Sequence, residues 1–444
     1  MSDHPAHGAF AAVIGLRPNV ALPDVVPVQR RVPVQTQVDD VPAAVREALE
    51  PLRSRIKPRM GVAVTAGSRG IHDIADVITA AVAWLREAGA EPFVVTAMGS
   101  HGGATAEGQR EVLVDLGIEE ARVGAPVLTG VETVEIGRLP DGSPVHHDAV
   151  AAGADGVLLI NRIKPHTDFR GRAESGLAKI AAIGLGNHRG ATSLHAGGVA
   201  QLGDAILDAF EVIRGHGHLL GGLGIVENSA ERTAEIVLVP PEEIGGDGEK
   251  RLLERAAALL GRLPFTELDV LVVDETGKDK SGTGMDTNVL GRTWVPRVPE
   301  LDSPQITVVT VHSLTSASHG NAAGLGLADI VPLRLLEQVD VRATYVNSIT
   351  SGTGGLRRSR FPMTLADDDA VLRAAVAMCG RRDPAEVRLA RISDTLTPGR
   401  LLVSPALLDE VAAADDLEVV GPAQPLVDDT LCLTQFPPQE DPQP

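Results

Sequence analysis

The sequence predicts two α/β domains, with mostly parallel or mixed sheets and a functional site in the cleft between the domains. Three observations lead to this prediction. The chain has 444 residues, more than the roughly 250–300 at which a single hydrophobic core stops growing. Residues 60–97 have the pattern strand, helix, strand, which favours a parallel pair. An acidic, glycine-rich break at 240–248 separates this region from a second series of strands.

This break sets the expected domain boundaries. We expect a first α/β domain over residues 1–245 that carries the functional groups, and a second over residues 246–425 that closes over the site. The stretch that follows is rich in Pro and Asp. Residues 426–444 are therefore expected to form a disordered tail.

The first domain is predicted to begin with a short helix within residues 41–56. An apolar strand follows and ends at Gly67-Ser68-Arg69-Gly70. Residues 74–85 have apolar side chains at helical spacing. A second strand, 91–97, leads to a glycine-flanked His101, and a third, 156–163, leads to Lys164-Pro165-His166. Helices are expected within 106–117 and 199–213, and two strands joined by a turn within 219–240.

The second domain is predicted to begin with a helix over 250–263 and a strand over 268–275. A loop with the sequence TGKDKSGTGMDTNVLGR follows. Long loops dense in Gly, Asp and Lys inside a compact domain are usually functional or mobile, and we expect SGTGMD to face His101 and His166. A further strand is expected over 306–314, and helices over 324–339 and 367–380.

Composition excludes several classes of function. Aromatic residues make up only 2% of the chain, which argues against stacking on nucleic-acid bases. The net charge of −19 disfavours phosphate backbones and anionic membranes as partners. Cys379 and Cys432 match no disulfide or metal framework. Without a targeting segment or an apolar run of about 18 residues, the sequence predicts a cytoplasmic protein.

Polar groups follow three of the predicted strands. In open α/β sheets, ligands bind at the carboxyl ends of the strands, so we expect Arg69, His101 and His166 to line one crevice. The GSRG turn has the character of an anion cradle. The chain has neither GxGxxG nor GxxxxGK[ST] at these turns, so neither a dinucleotide fingerprint nor a Walker loop is indicated.

The stretch Asn161–His195 is a basic island in an acidic chain, and it points to an anionic ligand. It contains Lys179 within the apolar run GLAKIAAIG, where desolvation favours the uncharged, nucleophilic form of the amine. Its histidines suit acid–base chemistry and the binding of nickel, copper or zinc. They are His166, His188 and His195, beside the cations Arg162, Lys164, Arg170, Arg172 and Arg189 and only two carboxylates, Asp168 and Glu174.

The order of these motifs resembles the lactate racemase family of nickel-pincer nucleotide enzymes, in a divergent branch. The resemblance runs over residues 60–200 and continues weakly into the second domain. Its diagnostic strings are RIKPHTDF, ESGLAKIAAIGLG and the later DETGK, SGTGMD and GR. It implies an isomerase that racemises or epimerises a 2-hydroxy acid. The family's cofactor is a pyridinium nucleotide tethered to a lysine, which accepts a hydride while histidines move the hydroxyl proton.

By position, the resemblance implies a role for each motif residue. His101 and His166 match the two acid–base histidines, and Lys179 matches the tethering lysine. Ser68, Arg69 and Gly70 match the strand-end motif that holds cofactor and substrate. His195 matches the nickel ligand, with His188 as a lower-ranked alternative. The implied partners are a small anionic hydroxy acid and the enzymes that make the cofactor.

The sequence departs from the family pattern at two places. The strand-end motif has no acidic residue, since it consists of Ala66-Gly67-Ser68-Arg69-Gly70. The residues that close over the substrate from the second domain have no clear counterpart, and Lys278, Lys280 and Arg292 are the candidates to replace them. Two other functions stay open: a cofactor-free ligand-binding or sensor protein, and another histidine-metal-dependent lyase or hydrolase.

Overall fold

The computed structural model describes residues 15–31, 36–68 and 70–436. The strands are β1 (Val26–Arg30), β2 (Gly61–Ala66), β3 (Glu91–Thr96), β4 (Val127–Leu128), β5 (Thr133–Arg138), β6 (Pro144–Asp148), β7 (Gly156–Arg162), β8 (Leu219–Glu227), β9 (Thr233–Val239), β10 (Glu267–Thr276), β11 (Gln305–Leu314), β12 (Ile330–Pro332), β13 (Met363–Leu365), β14 (Leu389–Ile392), β15 (Arg400–Val403) and β16 (Leu417–Val419).

The α-helices are α1 (Val41–Leu49), α2 (Ile74–Glu87), α3 (Ala106–Asp115), α4 (Glu120–Val123), α5 (Ala149–Ala152), α6 (Leu177–Lys179), α7 (Asn187–His195), α8 (Val199–Gly215), α9 (Asp247–Leu259), α10 (Thr287–Leu290), α11 (Leu333–Leu336), α12 (Val341–Thr350), α13 (Gly355–Arg358), α14 (Asp368–Met378) and α15 (Leu408–Ala413). Shorter 3₁₀ turns occur at Glu50–Arg55, Gly102–Ala104, Ser316–Ser318, Leu325–Leu327, Gly352–Gly354, Pro384–Glu386 and Pro405–Leu407, and a π-helical turn at Ile180–Gly184. Within the described part of the chain, none of the helices is both long enough and apolar enough to cross a lipid bilayer.

The predicted class, two α/β units with mostly parallel or mixed sheets, is confirmed. The units divide differently from the predicted ranges 1–245 and 246–425. One unit comprises residues 35–260, and the other combines 261–444 with the segment before residue 35. The physical reason is β1, which pairs antiparallel with β15 and with β16 and so belongs to the sheet of the second unit.

The sheet of the 35–260 unit has the strand order β4-β3-β2-β7-β8-β9. All neighbours are parallel except β9, which runs antiparallel to β8 at one edge. Helix α2 packs on one face, because Ile74, Val77, Ile78, Ala81 and Leu85 fall on one side of a 3.6-residue period. The sequence prediction of this strand–helix–strand unit is therefore correct.

The sheet of the other unit has the order β13-β12-β11-β10-β14-β15-β1-β16. Strands β10 to β14 are parallel to one another, whereas the pairs β14–β15, β15–β1 and β1–β16 are antiparallel. Along β10, Leu271 and Val273 join one hydrophobic core while Val270 and Val272 join another. This alternation shows a sheet that is covered on both faces, as a mostly parallel sheet requires.

The prediction of one long helix in this unit is wrong. Residues 324–339, predicted as one helix, form a 3₁₀ turn, the strand β12 and the short helix α11. A short apolar run fits strand and helix alike, and here its pairing with β11 and β13 decides the outcome. Of the predicted disordered tail, residues 426–436 contact the unit, with Leu426 only 1% exposed, and residues 437–444 lie outside the described residues.

The tail is held by Asp368, a buried carboxylate at the start of α14. Leu433 N donates to its Oδ2 at 2.9 Å, and His312 Nδ1 and Arg334 Nη1 lie 2.8 and 2.5 Å from its Oδ1. Burial alone would raise the pKa of Asp368, but the hydrogen bonds from His312 and Arg334 lower it to about 2.

This shift has a consequence for stability at low pH. A carboxyl whose pKa is lowered on folding stabilises the protein above its unfolded value of 3.8, and loses that contribution as the pH falls toward 2. We expect Asp368→Asn to cost about 2 kcal/mol more at pH 6 than at pH 2.5, measured by urea unfolding of both proteins. A difference that stays constant over this range would contradict the prediction.

Candidate functional site

The three polar turns predicted from the sequence lie at one edge of the first sheet. Strands β3, β2 and β7 are adjacent and parallel, so the residues that follow them share the carboxyl edge. Ala97 N donates to Ala66 O at 2.8 Å and ties the first two turns together. Ser68, Gly70, His101 and His166 therefore stand on neighbouring strand ends, while Arg69 lies outside the described residues.

A segment formed by α6, the π-helical turn and α7 packs against this edge. Gly99 N donates to Gly184 O at 3.1 Å. A Cβ on Gly184 would lie 2.7 Å from Ala97 O, so only glycine permits this approach. Directly before the π-helical turn stands Lys179, half-buried beside the fully buried Leu177 and Ala178. Such turns are frequent at functional sites, and this one sets Lys179 near the ends of the strands.

Ser68 and His101 contact each other across two of the strand ends. The Ser68 hydroxyl and His101 Nδ1 form a short hydrogen bond. The imidazole is exposed, and this contact is one of those that hold it in position. The hydrogen bond between Ser68 and Nδ1 holds the ring in one orientation, in which Nε2 points away from Ser68.

His166 is held by a tight loop wound around the buried Glu174. Glu174 Oε2 accepts from His166 N at 2.6 Å, and its Oε1 accepts from Gly171 N at 3.2 Å. Phe169 stacks on the His166 ring with 4.3 Å between the ring centroids. Burial raises the pKa of Glu174. The loop therefore fixes both the backbone and the ring of His166.

The His166 ring reaches Lys179. The distance from Lys179 Nζ to His166 Nε2 is 2.7 Å, and Asp168 N donates to the other ring nitrogen, Nδ1, at 3.0 Å. The sequence prediction placed both residues at the site without predicting that they touch. This direct contact is the feature on which the functional arguments below depend.

Sequence reasoning missed Glu249, the carboxylate under the Lys179 turn. Its Oε1 accepts from Leu177 N at 2.5 Å, and its Oε2 accepts from Gly245 N at 2.8 Å. The residue is only 2% exposed, and burial raises its pKa. One signal was available, because Glu249 lies on the apolar face of α9 with Leu252, Leu253 and Ala256.

His195 ends α7, and its hydrogen bond defines which ring nitrogen carries the proton. The distance from Nδ1 to Ala191 O is 2.7 Å, and a carbonyl only accepts, so Nδ1 carries the proton and Nε2 keeps its lone pair. Partial burial lowers the pKa of His195, which lies within electrostatic range of Lys179 and Asp168. His188, the lower-ranked alternative, is exposed at the start of the same helix.

The basic island is partly neutralised in the folded protein. Arg162 forms an ion pair with Glu227, and Arg170 lies 3.5 Å from Glu174. Arg172 and Arg189 are exposed. The positive charge of the stretch is therefore offset by carboxylates at Arg162 and Arg170, while Arg172 and Arg189 are exposed to solvent.

The candidate cations of the second unit bind within their own unit. Arg292 is buried and bonds Asp329 Oδ2 at 2.8 Å and Ile306 O at 2.6 Å. Lys280 Nζ lies 3.0 Å from Asp394 Oδ2, and Lys278 Nζ donates to Gly282 O at 2.7 Å. These contacts give Arg292 a structural role. The SGTGMD loop itself is anchored by Asp286, whose backbone N donates to Thr395 Oγ1 at 2.9 Å.

Comparison with known proteins gives only distant similarities. No family model and no curated protein matches the sequence. A Thermotoga maritima protein solved by a structural genomics consortium is 15% identical, with a TM-score of 0.48, over 81% of this chain and 97% of that chain. The lactate racemase apoprotein from Thermoanaerobacterium thermosaccharolyticum is 12% identical, with a TM-score of 0.46, over 84% of this chain and 88% of that chain.

Proposed function

We propose that this protein is a racemase or epimerase of a small 2-hydroxy acid that works with a nickel-pincer nucleotide tethered to Lys179. The contact between Lys179 and His166, at 2.7 Å, carries the proposal. It joins an amine suited to covalent attachment with an imidazole suited to proton transfer. His101 follows β3, which is separated from β7 by β2, so the same edge of the sheet carries a second imidazole.

The described residues fit such a cofactor better than they fit a bare metal ion. Among residues 15–31, 36–68 and 70–436, no group of three or more His, Cys, Asp or Glu side chains is placed to hold a metal ion. A group that brings its own nickel donors needs only one protein ligand. His195 suits that role, because its Nε2 lone pair is left available by the bond from Nδ1 to Ala191 O.

The chain's own residues would then have separate roles in binding and proton transfer. When bound, the cofactor would supply a reversible hydride acceptor. His166 and His101 would hold or move the proton of the substrate hydroxyl, each from its own strand end. Lys179 would anchor the cofactor through its amine, and the exposed Arg172 and Arg189 supply positive charge for an anionic substrate.

The test is to co-express the protein with the enzymes that make the cofactor. We expect intact-mass measurement to show one covalent adduct, with one nickel per chain. Lys179→Ala should lose the adduct and keep the fold, because only that amine touches His166 in the tethering turn. Lys57→Ala, which removes an exposed lysine, is the matched control and should keep the adduct.

The alternatives predict other results. An unmodified chain without nickel that still binds hydroxy acids would favour a cofactor-free binding or sensor protein. An adduct retained in Lys179→Ala would show that the tether is elsewhere. A histidine-metal lyase or hydrolase would bind metal with no adduct, and the described residues offer it no cluster of ligands.

A further inference from the structure

We propose that, in the chain without cofactor, Lys179 is an uncharged amine that captures small 2-oxo acids as Schiff bases, with His166 as its proton partner. Attachment of a nucleotide is a different reaction from capture of a ketone, so this is an additional activity of the site. The choice of 2-oxo acids rests on the proposed function, since a 2-hydroxy acid that loses a hydride from carbon and the proton of its hydroxyl becomes a 2-oxo acid.

The hydrogen bonds of His166 define the protonation state of both side chains. Asp168 N can only donate, and it points at Nδ1 from 3.0 Å, so Nδ1 carries a lone pair. A neutral imidazole then has its proton on Nε2. Nε2 lies 2.7 Å from Lys179 Nζ, so the ring donates and the amine accepts. An ammonium group has no lone pair and cannot accept.

The opposite arrangement is chemically excluded. If Lys179 were an ammonium that donated to Nε2, both ring nitrogens would carry lone pairs, and His166 would be an imidazolate. A ring turned by 180° about Cβ–Cγ would place carbon atoms where Nδ1 and Nε2 now stand, and the contacts with Asp168 N and Lys179 Nζ would both be lost. The neutral amine is therefore set by geometry at both ring nitrogens.

The surroundings of Lys179 support an amine that is both uncharged and reachable. Leu177 and Ala178, which precede it, are fully buried, and burial disfavours an ammonium charge. The lysine itself is only half-buried, so a small molecule can reach Nζ. Glu249 accepts from the backbone of this turn, while the lysine side chain extends to His166.

The reaction balances without an oxidant or a reductant. The lone pair of Nζ attacks the carbonyl carbon of the 2-oxo acid as the C–O π bond opens, and a proton passes through water from the cationic nitrogen to the oxyanion, which gives a neutral carbinolamine. The nitrogen lone pair then forms the C=N bond as the C–O bond breaks. The departing hydroxyl takes the Nε2 proton of His166 and leaves as water, while the iminium nitrogen gives its own proton to Nε2, so the products are the Schiff base, one water and neutral His166.

The experiment uses the full chain expressed without the cofactor enzymes. Pyruvate and sodium cyanoborohydride are added, and reduced adducts are located by intact mass and peptide mapping. We expect one adduct at Lys179, formed at a rate that changes little between pH 7 and pH 9. The exposed Lys57 is an internal control, because an ordinary lysine gains about tenfold in reactive amine per pH unit in this range.

Two variants separate chemistry from folding. Lys179→Arg should abolish the specific adduct with an unchanged thermal melting curve. His166→Asn should slow capture by on the order of 10²-fold, the usual scale for a lost proton-transfer group. Labelling of Lys179 that only follows the pH dependence of Lys57 would overturn the inference. If pyruvate capture fails while the nickel adduct forms after co-expression, this inference falls and the proposed function stands. If pyruvate is captured at Lys179 but no nickel adduct forms after co-expression, the proposed function falls and this inference stands.

Discussion

Replacing His166 with alanine is expected to slow interconversion of the two enantiomers of the accepted 2-hydroxy acid by about 10²-fold or more. The loss should be equal in both directions, because inversion at one carbon needs a proton-transfer group on each side of it. His166 is fixed for this role by Glu174 and Phe169. The measurement is the rate of racemisation from each pure enantiomer, on protein with full cofactor adduct.

His101→Ala should give a loss of the same order, since His101 stands on a different strand end and serves the other face. His216→Ala, which removes an exposed histidine away from the strand ends, is the control and should racemise normally. Normal racemisation by His101→Ala would show that the two-base mechanism is wrong. The hydrogen bond with Ser68 would then have only a structural role in the turn.

Glu249→Leu is expected to lower the free energy of unfolding by about 3 kcal/mol. The change would leave the backbone N–H groups of Leu177, Ala178 and Gly245 without their acceptor, and each unsatisfied buried donor costs about 1–3 kcal/mol. Urea unfolding at neutral pH measures the loss. The Lys179 turn should loosen as well, so pyruvate capture should fall even where the variant is fully folded.

The control for this variant is Glu242→Ala, an exposed carboxylate in the segment before α9, which should change stability by no more than about 0.5 kcal/mol. If Glu249→Leu is as stable as the starting protein, the carboxylate does not support the turn. Gly176→Ala offers an independent check, because its Cβ would lie 2.0 Å from Glu249 Oε1. Gly176→Ala should therefore also destabilise the Lys179 turn, because the added Cβ would displace the Glu249 carboxylate.

The sequence allowed prediction wherever the information was local. Apolar spacing located α2 and the strands on either side of it, and the position of polar residues after strands placed Ser68, His101 and His166 at one edge. The contact between Lys179 and His166 could not be predicted, because it depends on how the loop winds around Glu174. Glu249 lies far along the chain from the turn that it supports, and only the folded unit brings them together.

Errors arose where pairing between distant segments overrode local pattern. Residues 324–339 contain a helical pattern, but β12 within them completes a parallel sheet between β11 and β13. The π-helical turn after Lys179 depends on the absence of a side chain at Gly184, because a Cβ there would meet Ala97 O, directly after the end of β3. Neither feature is encoded within one short window of sequence.

The place of β1 in the second sheet bears on the order in which the protein folds during synthesis. β1 is made before the 35–260 unit, yet its partners β15 and β16 are made only after that unit and after strands β10 to β14. At about 5–20 residues per second, the strand waits for tens of seconds. The 35–260 unit, with an uninterrupted sequence, can complete its own core in that interval. β1 must therefore stay without its sheet partners until β15 and β16 have been made.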